Sequence, residues 1–347
     1  MSDHHKDFAN DGFAPVRLDQ FLRLMIPTLS GEMTLDRIGG GQSNPTYFVT
    51  YDNRRLVLRK QPAGPLLPSA HAIDREYRVM KQLGTTDVPV PSLVFYCDDV
   101  DVIGTPFYVM ERLEGRVFSD CSLPDVSAYE RNAMYLSMAE TLAQLHRVDW
   151  KACGLSDYGS QGEYYSRQIA RWTRQWNLSK TRKVPEIDYL AAWLPMAIPD
   201  NSTVAISHGD FRIGNLMFHP TEPRVVGILD WELSSLGDPM ADLSYSALGW
   251  YLFPDEYMGM RGADLDALGI PSERDYLAHY FSVAGIEPRI ATFHYAFSLF
   301  RLAVIAEGIA ARAISGASVS ENARDVGKLS VNFARRAMEI IDGEGIA

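Results

Sequence analysis

The sequence predicts a two-lobed α+β fold, with a small β-rich lobe over residues 1–112 and a larger helical lobe over residues 113–347. Three observations predict it. The first third alternates short apolar runs with turn residues. The remainder carries helical periodicity, interrupted by one hairpin pattern. A chain of 347 residues, 46% hydrophobic and 22% charged, can bury two cores without covalent staples.

Residues 1–15 are polar, lack the apolar segment of a signal peptide and are expected to be flexible. MTLDRI (33–38) and TYFVTY (46–51) read as strands around the turn Gly39-Gly40-Gly41-Gln42-Ser43-Asn44. A turn at Asp52-Asn53 then leads into RLVLRK (55–60). Side chains alternate along a strand, so Val57 and Arg59 share one face and Lys60 takes the other. A helix is predicted from about Ser69 to Leu83, ended by Gly84. Its apolar stripe is Ile73, Tyr77, Met80 and Leu83, and Glu76 falls within that stripe. Strands follow near Ser92–Cys97 and Pro106–Glu111, and the lobe boundary is expected between Arg112 and Gly115. Met134, Met138, Leu142 and Leu145 then mark a helix face. Residues 203–231 read as a hairpin turning at His219-Pro220-Thr221-Glu222-Pro223, and helical patterns run on to the C-terminus.

Composition narrows the function. A net charge of −11 argues against nucleic acid or an anionic membrane as the main partner. Cys97, Cys121 and Cys153 are scattered and form no C-x-x-C pair, which points to a reducing, cytoplasmic setting without a zinc site. The most apolar long stretch, residues 291–313, carries His294, Arg301, Glu307 and Arg312 and reads as a buried helix.

The chemistry is concentrated in four features that follow one another in order. The glycine-rich turn offers backbone N–H groups to a phosphate. Arg59 ends its strand as a cation. Glu76, on a buried helix face, needs a partner, and Arg59 is the natural one. ISHGDFRIGNLMF (206–218) sets Asp210 and Asn215 five residues apart, and a hairpin is expected to return Asp230 of ILDW beside them. Asp210 can accept the proton of an attacking hydroxyl. Asn215 and Asp230 offer hard oxygen ligands to Mg2+, which needs only one or two carboxylates besides phosphates and water. Taken singly, these features read as a hairpin turn, a strand-to-helix ion pair and ordinary turn residues. Their order and spacing do not.

HGDFRIGN, VVGILDWELSSLGDPMADLSY, LVLRKQPAG and SAHAIDREYRVM resemble the aminoglycoside phosphotransferase/choline kinase family over roughly residues 30–310. Within it they resemble the subfamily fused to, or encoded beside, acyl-CoA dehydrogenases. The resemblance implies a protein-kinase-like fold, ATP as phosphate donor and Mg2+. It implies that Asp210 is the catalytic Asp, that Asn215 and Asp230 are the Mg2+ ligands, and that Arg59 is the phosphate-pairing cation with Glu76 as its helix partner. Gly40, Gly41, Gln42, Ser43 and Asn44 match the nucleotide-binding turn. Met110 to Leu113 match the adenine-facing hinge, with Glu111 and Leu113 as nucleotide-binding positions. Asp242 matches a carboxylate that braces the catalytic loop, and His208 reads as a packed residue supporting that loop. The chain departs from the usual pattern in having Arg59 in place of Lys, and Trp231 where protein kinases carry the Phe of D-F-G.

Gly237-Asp238-Pro239 opens a new helix only seven residues after Asp230, leaving no room for a peptide platform. The expected substrate is therefore a small molecule bearing a hydroxyl. RQIARWTRQW places Arg167, Arg171 and Arg174 on one helical stripe, with Trp172 and Trp176 on another face, and Arg301 and Arg312 share a side of a later helix. Arg171, Trp172, Arg301 and Arg312 are candidates for an anion-binding pocket; a solvated basic face and internal salt bridges are the plainer readings. The leading expectation is a kinase of a hydroxyacyl-CoA or hydroxy acid. The alternatives are an aminoglycoside O-phosphotransferase and a non-catalytic nucleotide-binding pseudokinase.

Overall fold

The computed structural model describes residues 13–39, 44–64, 72–160, 162–200, 203–314 and 323–343. The chain divides into two compact units, Met1–Gly115 with Val226–Glu232, and Arg116–Val225 with Leu233–Ala347.

The first unit is built on an antiparallel sheet of β1 (Thr34–Arg37), β2 (Thr46–Tyr51), β3 (Arg54–Lys60), β4 (Leu93–Cys97) and β5 (Phe107–Glu111), in the order β1-β2-β3-β5-β4. Alternation decides its faces. Tyr47, Val49 and Tyr51 of β2, with Leu56 and Leu58 of β3, join one core, to which helix α1 (Pro15–Met25) adds Leu18 and Leu22. Lys60 follows Leu58 onto that face and lies 5.4 Å from the Phe13 ring, while Arg59 turns to helix α2 (Ile73–Leu83).

The flexible start expected for residues 1–15 is corrected at its end. Residues 1–12 lie outside the described residues, but Phe13 packs edge-on against Tyr47 at 5.6 Å and Pro15 opens α1. Only Leu18 and Leu22 of that helix are buried, and the exposed apolar residues Val16, Leu24 and Met25 blur its periodicity. The helix expected from Ser69 begins, as described, at Ile73; residues 69–71 lie outside the described residues. It buries Val79 along with Ile73, Glu76, Met80 and Leu83. A short helix, α3 (Val100–Ile103), precedes β5.

The segment Val226–Glu232, expected in the helical lobe, belongs to the first unit, where the backbone N–H of Ile228 donates to the carbonyl of Pro89 at 2.9 Å.

The second unit is mainly helical: α4 (Ala128–Arg147), α5 (Tyr164–Ser179), α6 (Pro185–Trp193), α7 (Pro239–Ser246), α8 (Leu265–Leu268), α9 (Glu273–Ala284), α10 (Thr292–Ile314) and α11 (Ala323–Ile341). Helix α10 is its axis, buried almost continuously from Phe293 to Ala310 and packed on α5, α7 and α11. Helix α7 starts sharply because Asp238 caps the N–H of Met240 at 2.8 Å and Pro239 presets the first turn.

The hairpin read at 203–231 resolves into more pieces. β6 (Ala205–Ser207) pairs antiparallel with a strand the sequence did not reveal, Ser235–Gly237. β7 (Leu216–Phe218) leads into the expected turn, where the N–H of His219 donates to the carbonyl of Arg224 at 2.9 Å; β8 (Val225–Ile228) then carries the chain into the first unit, and Ser235–Gly237 is β9.

Candidate active site

In the first unit Arg59 sits among carboxylates. Its Nε is 2.7 Å from Oε2 of Glu76, its Nη2 is 2.6 Å from Oδ1 of Asp230, and Glu232 stands 4.0 Å away. The β3 register places Arg59 opposite Thr46 and Tyr108, and the Tyr108 hydroxyl donates to Glu76 at 3.1 Å. Asn44 also donates to Glu76, and its own Oδ1 is buried with no protein partner. Burial pushes the Glu76 carboxyl up, with Arg59, Asn44 and Tyr108 opposing it. Asp230 holds its carboxylate toward Arg59 from a left-handed backbone (φ 62°), a conformation costly for a non-glycine residue and concentrated at functional sites. Glu111, at the end of β5, receives Arg54 at 3.1 Å, and Leu113 lies half-buried beyond the strand. Gly40, Gly41, Gln42 and Ser43 lie outside the described residues.

In the second unit the loop between β6 and β7 is pinned by a buried carboxylate. Asp242, on α7, accepts the backbone N–H of His208 at 2.6 Å and of Gly209 at 2.9 Å, and the Ser207 hydroxyl at 3.0 Å. Burial alone would raise its pKa, yet His146, His208 and the Gly209 N–H hold it below the usual carboxylate value. Gly209 is required here: its φ is +83°, and a Cβ would lie 2.6 Å from the Leu233 carbonyl oxygen.

This loop delivers Asp210. The Tyr245 hydroxyl donates to its Oδ1 at 2.5 Å, and Asn215 Nδ2 donates to its Oδ2 at 2.7 Å and to its carbonyl at 2.8 Å. Burial and Asp210 together push the Tyr245 phenol well above its ordinary pKa, so it stays a donor. Spending its NH2 on Asp210 leaves Asn215 its amide oxygen for a cation. His208 is fully buried, and its Nδ1 accepts the N–H of Asp210 at 3.2 Å, a packed loop residue in geometry.

Several supporting residues escaped the sequence reading. His146 lies 3.4 Å from Asp242 through Nε2 and 2.7 Å from the Tyr280 hydroxyl through Nδ1; its one signal was a polar residue next to Leu145 on a helix read only for its apolar stripe. Arg301 is corrected from a pocket residue to a loop support. It is 8% exposed, donates to the Gly209 carbonyl at 2.5 Å and lies over the Tyr245 ring at 4.7 Å. Arg312 is exposed near the end of α10. The stripe on α5 is likewise a surface. Arg167, Arg171 and Arg174 are exposed. Arg167 caps the Ser160 and Gly162 carbonyls, and Arg171 lies over the Trp172 ring at 5.3 Å. Trp176 turns inward to Asp188 at 2.7 Å. Long cationic side chains on one helical face find local carbonyls and rings, which spacing alone does not reveal.

Among the described residues no group of three or more His, Cys, Asp and Glu is placed to hold a metal, and no helix is long and apolar enough to cross a membrane.

Comparison with known proteins fits this arrangement. The phosphotransferase enzyme family matches residues 34–280. Acyl-CoA dehydrogenase family member 10 of Mus musculus is 43% identical over 333 residues, covering 94% of this chain and 31% of that protein. Acyl-CoA dehydrogenase family member 11 of Gallus gallus is 41% identical over 318 residues, covering 90% and 41%. The chain thus spans less than half the length of these relatives. A crystal structure from Ralstonia eutropha JMP134, of a protein assigned to the aminoglycoside phosphotransferases, is 42% identical with a TM-score of 0.86, covering 95% of this chain and 99% of that one. The choline kinase of Cryptosporidium parvum Iowa II shares the fold at a TM-score of 0.68 and 12% identity, covering 95% and 97%. The kinase-like α+β fold expected from the sequence is the fold of these neighbours.

Proposed function

The chain belongs to the phosphotransferase enzyme family, and from that premise we propose that it is an ATP- and Mg2+-dependent kinase acting on the hydroxyl of a small molecule. The observation that carries this reading is the setting of Asp210. Both carboxylate oxygens receive donors, Tyr245 on one and Asn215 on the other, in a loop whose backbone is clamped by Asp242. A carboxylate so oriented accepts a hydroxyl proton without reorganising, which is what positioning contributes to phosphoryl transfer.

Asp210 takes the acceptor's proton in this scheme. Arg59, aligned by Glu76, pairs with the phosphates of the nucleotide. The donors offered to Mg2+ are the Asp230 carboxylate and the Asn215 amide oxygen, hard atoms that suit this ion and need no Cys or His. When bound, Mg2+ would neutralise charge on the phosphates.

The acceptor we assign is a hydroxyacyl-CoA or a free hydroxy acid. The support is that the curated relatives are named as acyl-CoA dehydrogenase family members. The exposed arginines of α5 add little, because Arg167 and Arg171 serve local contacts and Arg174 lies on the exposed face. ADP release by the purified protein, with hydroxyacyl-CoAs, hydroxy acids and kanamycin compared in parallel, tests the assignment. Turnover confined to the acyl compounds is expected. Turnover confined to kanamycin would make it an aminoglycoside kinase. Mg·ATP binding without transfer to any acceptor would make it a pseudokinase.

A further inference from the structure

We propose that Arg212 is a second catalytic residue of the loop, its guanidinium stabilising the phosphoryl group in transfer. The inference rests on the kinase reading above and names a group to which that reading gives no role.

Arg212 stands two residues after Asp210, with Nε 3.4 Å from Oδ2 of Asp210 and its side chain 27% exposed. At that distance the contact is too long to be what orients the base, and Tyr245 and Asn215 already do so at 2.5 and 2.7 Å. A guanidinium held in close ion pairs looks different in this protein: Arg59 sits 2.7 Å from Glu76 and 2.6 Å from Asp230. Arg212 is instead held beside the base and partly open.

Two features hold it there. A Cβ on Gly214 would lie 2.3 Å from Nη1 of Arg212, so the glycine leaves the space into which the guanidinium folds. On another side, the Tyr257 ring lies 5.7 Å from its Cζ. Tyr257 takes a left-handed backbone (φ 85°) and remains 47% exposed. Its loop is tied to α11 by Arg336 to Glu256 at 2.9 Å and by Arg261 to Glu339 at 2.7 Å. A strained, exposed aromatic on an anchored loop, set against a cation beside the base, is an arrangement that packing alone does not call for.

The chemistry follows from reach. The acceptor hydroxyl must lie about 2.6–3.2 Å from Asp210 to give up its proton. Its oxygen must stand about 3–3.5 Å from the phosphorus it attacks. A cation 3.4 Å from the base therefore lies within reach of the phosphoryl oxygens. As the acceptor oxygen–phosphorus bond forms, the bond from the γ-phosphorus to the β–γ bridging oxygen breaks. Its electron pair leaves with ADP, and the hydroxyl proton passes to Asp210. Negative charge is spread over the three non-bridging oxygens throughout, and Arg212 opposes it with a planar fork of donors.

The test compares wild type with Arg212→Gln, Arg212→Ala and Gly214→Ala, reading kcat with a hydroxyl acceptor and with water, Mg·ATP affinity by calorimetry, and thermal stability. Arg212→Gln is expected to lower kcat about 100-fold or more with every acceptor, water included, while Mg·ATP affinity stays within about twofold. Millimolar guanidinium ion is expected to restore part of the turnover of Arg212→Ala, which a purely structural role would not allow. Gly214→Ala, which displaces the guanidinium but keeps its charge, is expected to lose kcat with stability near wild type. Unchanged kcat in Arg212→Gln overturns the proposal, as does a defect confined to KM for anionic acceptors, or one without guanidinium rescue that follows lost stability. A wild type that transfers phosphate to neither an acceptor nor water removes the kinase reading and this assignment with it. An active wild type with an equally active Gln variant removes only the assignment.

Discussion

The Nη2 atom of Arg59 lies 2.6 Å from Oδ1 of Asp230, while Nε of the same guanidinium lies 2.7 Å from Glu76. One side chain thus bridges a carboxylate on α2 and one on the segment after β8, all within the first unit. A lysine ammonium, a single point charge, would serve these two sites less well than a planar fork. This gives a physical reason for an arginine at position 59.

Replacing that side chain tests the bridge. Arg59→Met leaves Glu76, 1% exposed, without its cation. Removing one partner of a buried pair costs about 3–5 kcal/mol. Urea unfolding at neutral pH should show a loss of that order, and a loss under about 1 kcal/mol would mean that Glu76 is adequately satisfied by Asn44 and Tyr108.

Asp230 and Asn215 are expected to differ in what their removal does. A carboxylate brings a full charge to a divalent cation and an amide does not. Calorimetric titration with Mg·ATP should therefore show Asp230→Ala more severely impaired than Asn215→Ala. The reverse order would reject Asp230 as the main metal ligand.

Asp210→Asn should abolish transfer yet leave nucleotide binding intact. The change keeps the shape that Tyr245 and Asn215 grip but removes the proton acceptor. A loss of about 100-fold or more in kcat is the expected scale for a general base. Near-normal turnover would show that Asp210 only positions the acceptor.

Much of this framework was legible because it is local. The alternation of RLVLRK is enough to send Arg59 and Lys60 to opposite faces, and the spacing from Asp210 to Asn215 lets the amide reach back to the carboxylate it follows. What stayed hidden depends on tertiary placement. His146 and Arg301 lie on helices whose periodicity describes burial and is silent about polar partners, and their partners are Asp242 and the Gly209 carbonyl, 96 and 92 residues away in sequence. The α5 arginines show the converse. Their stripe is plain in the sequence, but whether it lines a pocket or faces water is decided by which side of α5 packs on α10, and Ile169 and Trp176 are buried instead. The segment carrying Asp230 was misassigned for a related reason, since a short apolar run does not declare which core it joins.

His294 makes a pH prediction. It is 3% exposed on α10, and its Nδ1 accepts the N–H of Ala291 at 2.9 Å. Burial lowers its pKa from 6.5 to about 4; nearby Asp238 opposes the shift and Arg289 adds to it. The folded protein therefore binds this proton less readily than the unfolded chain. The stabilisation is complete above pH 6.5 and is lost as the pH falls from there toward 4. Between pH 7 and pH 5 the loss from this group should be about 2 kcal/mol, at 1.36 kcal/mol per pKa unit. His294→Asn keeps an acceptor near the Ala291 N–H but does not titrate. Urea unfolding at both pH values should show wild type losing about 2 kcal/mol more than the variant, since other titrations are common to both. Equal losses would mean that His294 is protonated in the folded protein, and that its Nδ1 does not accept the Ala291 N–H.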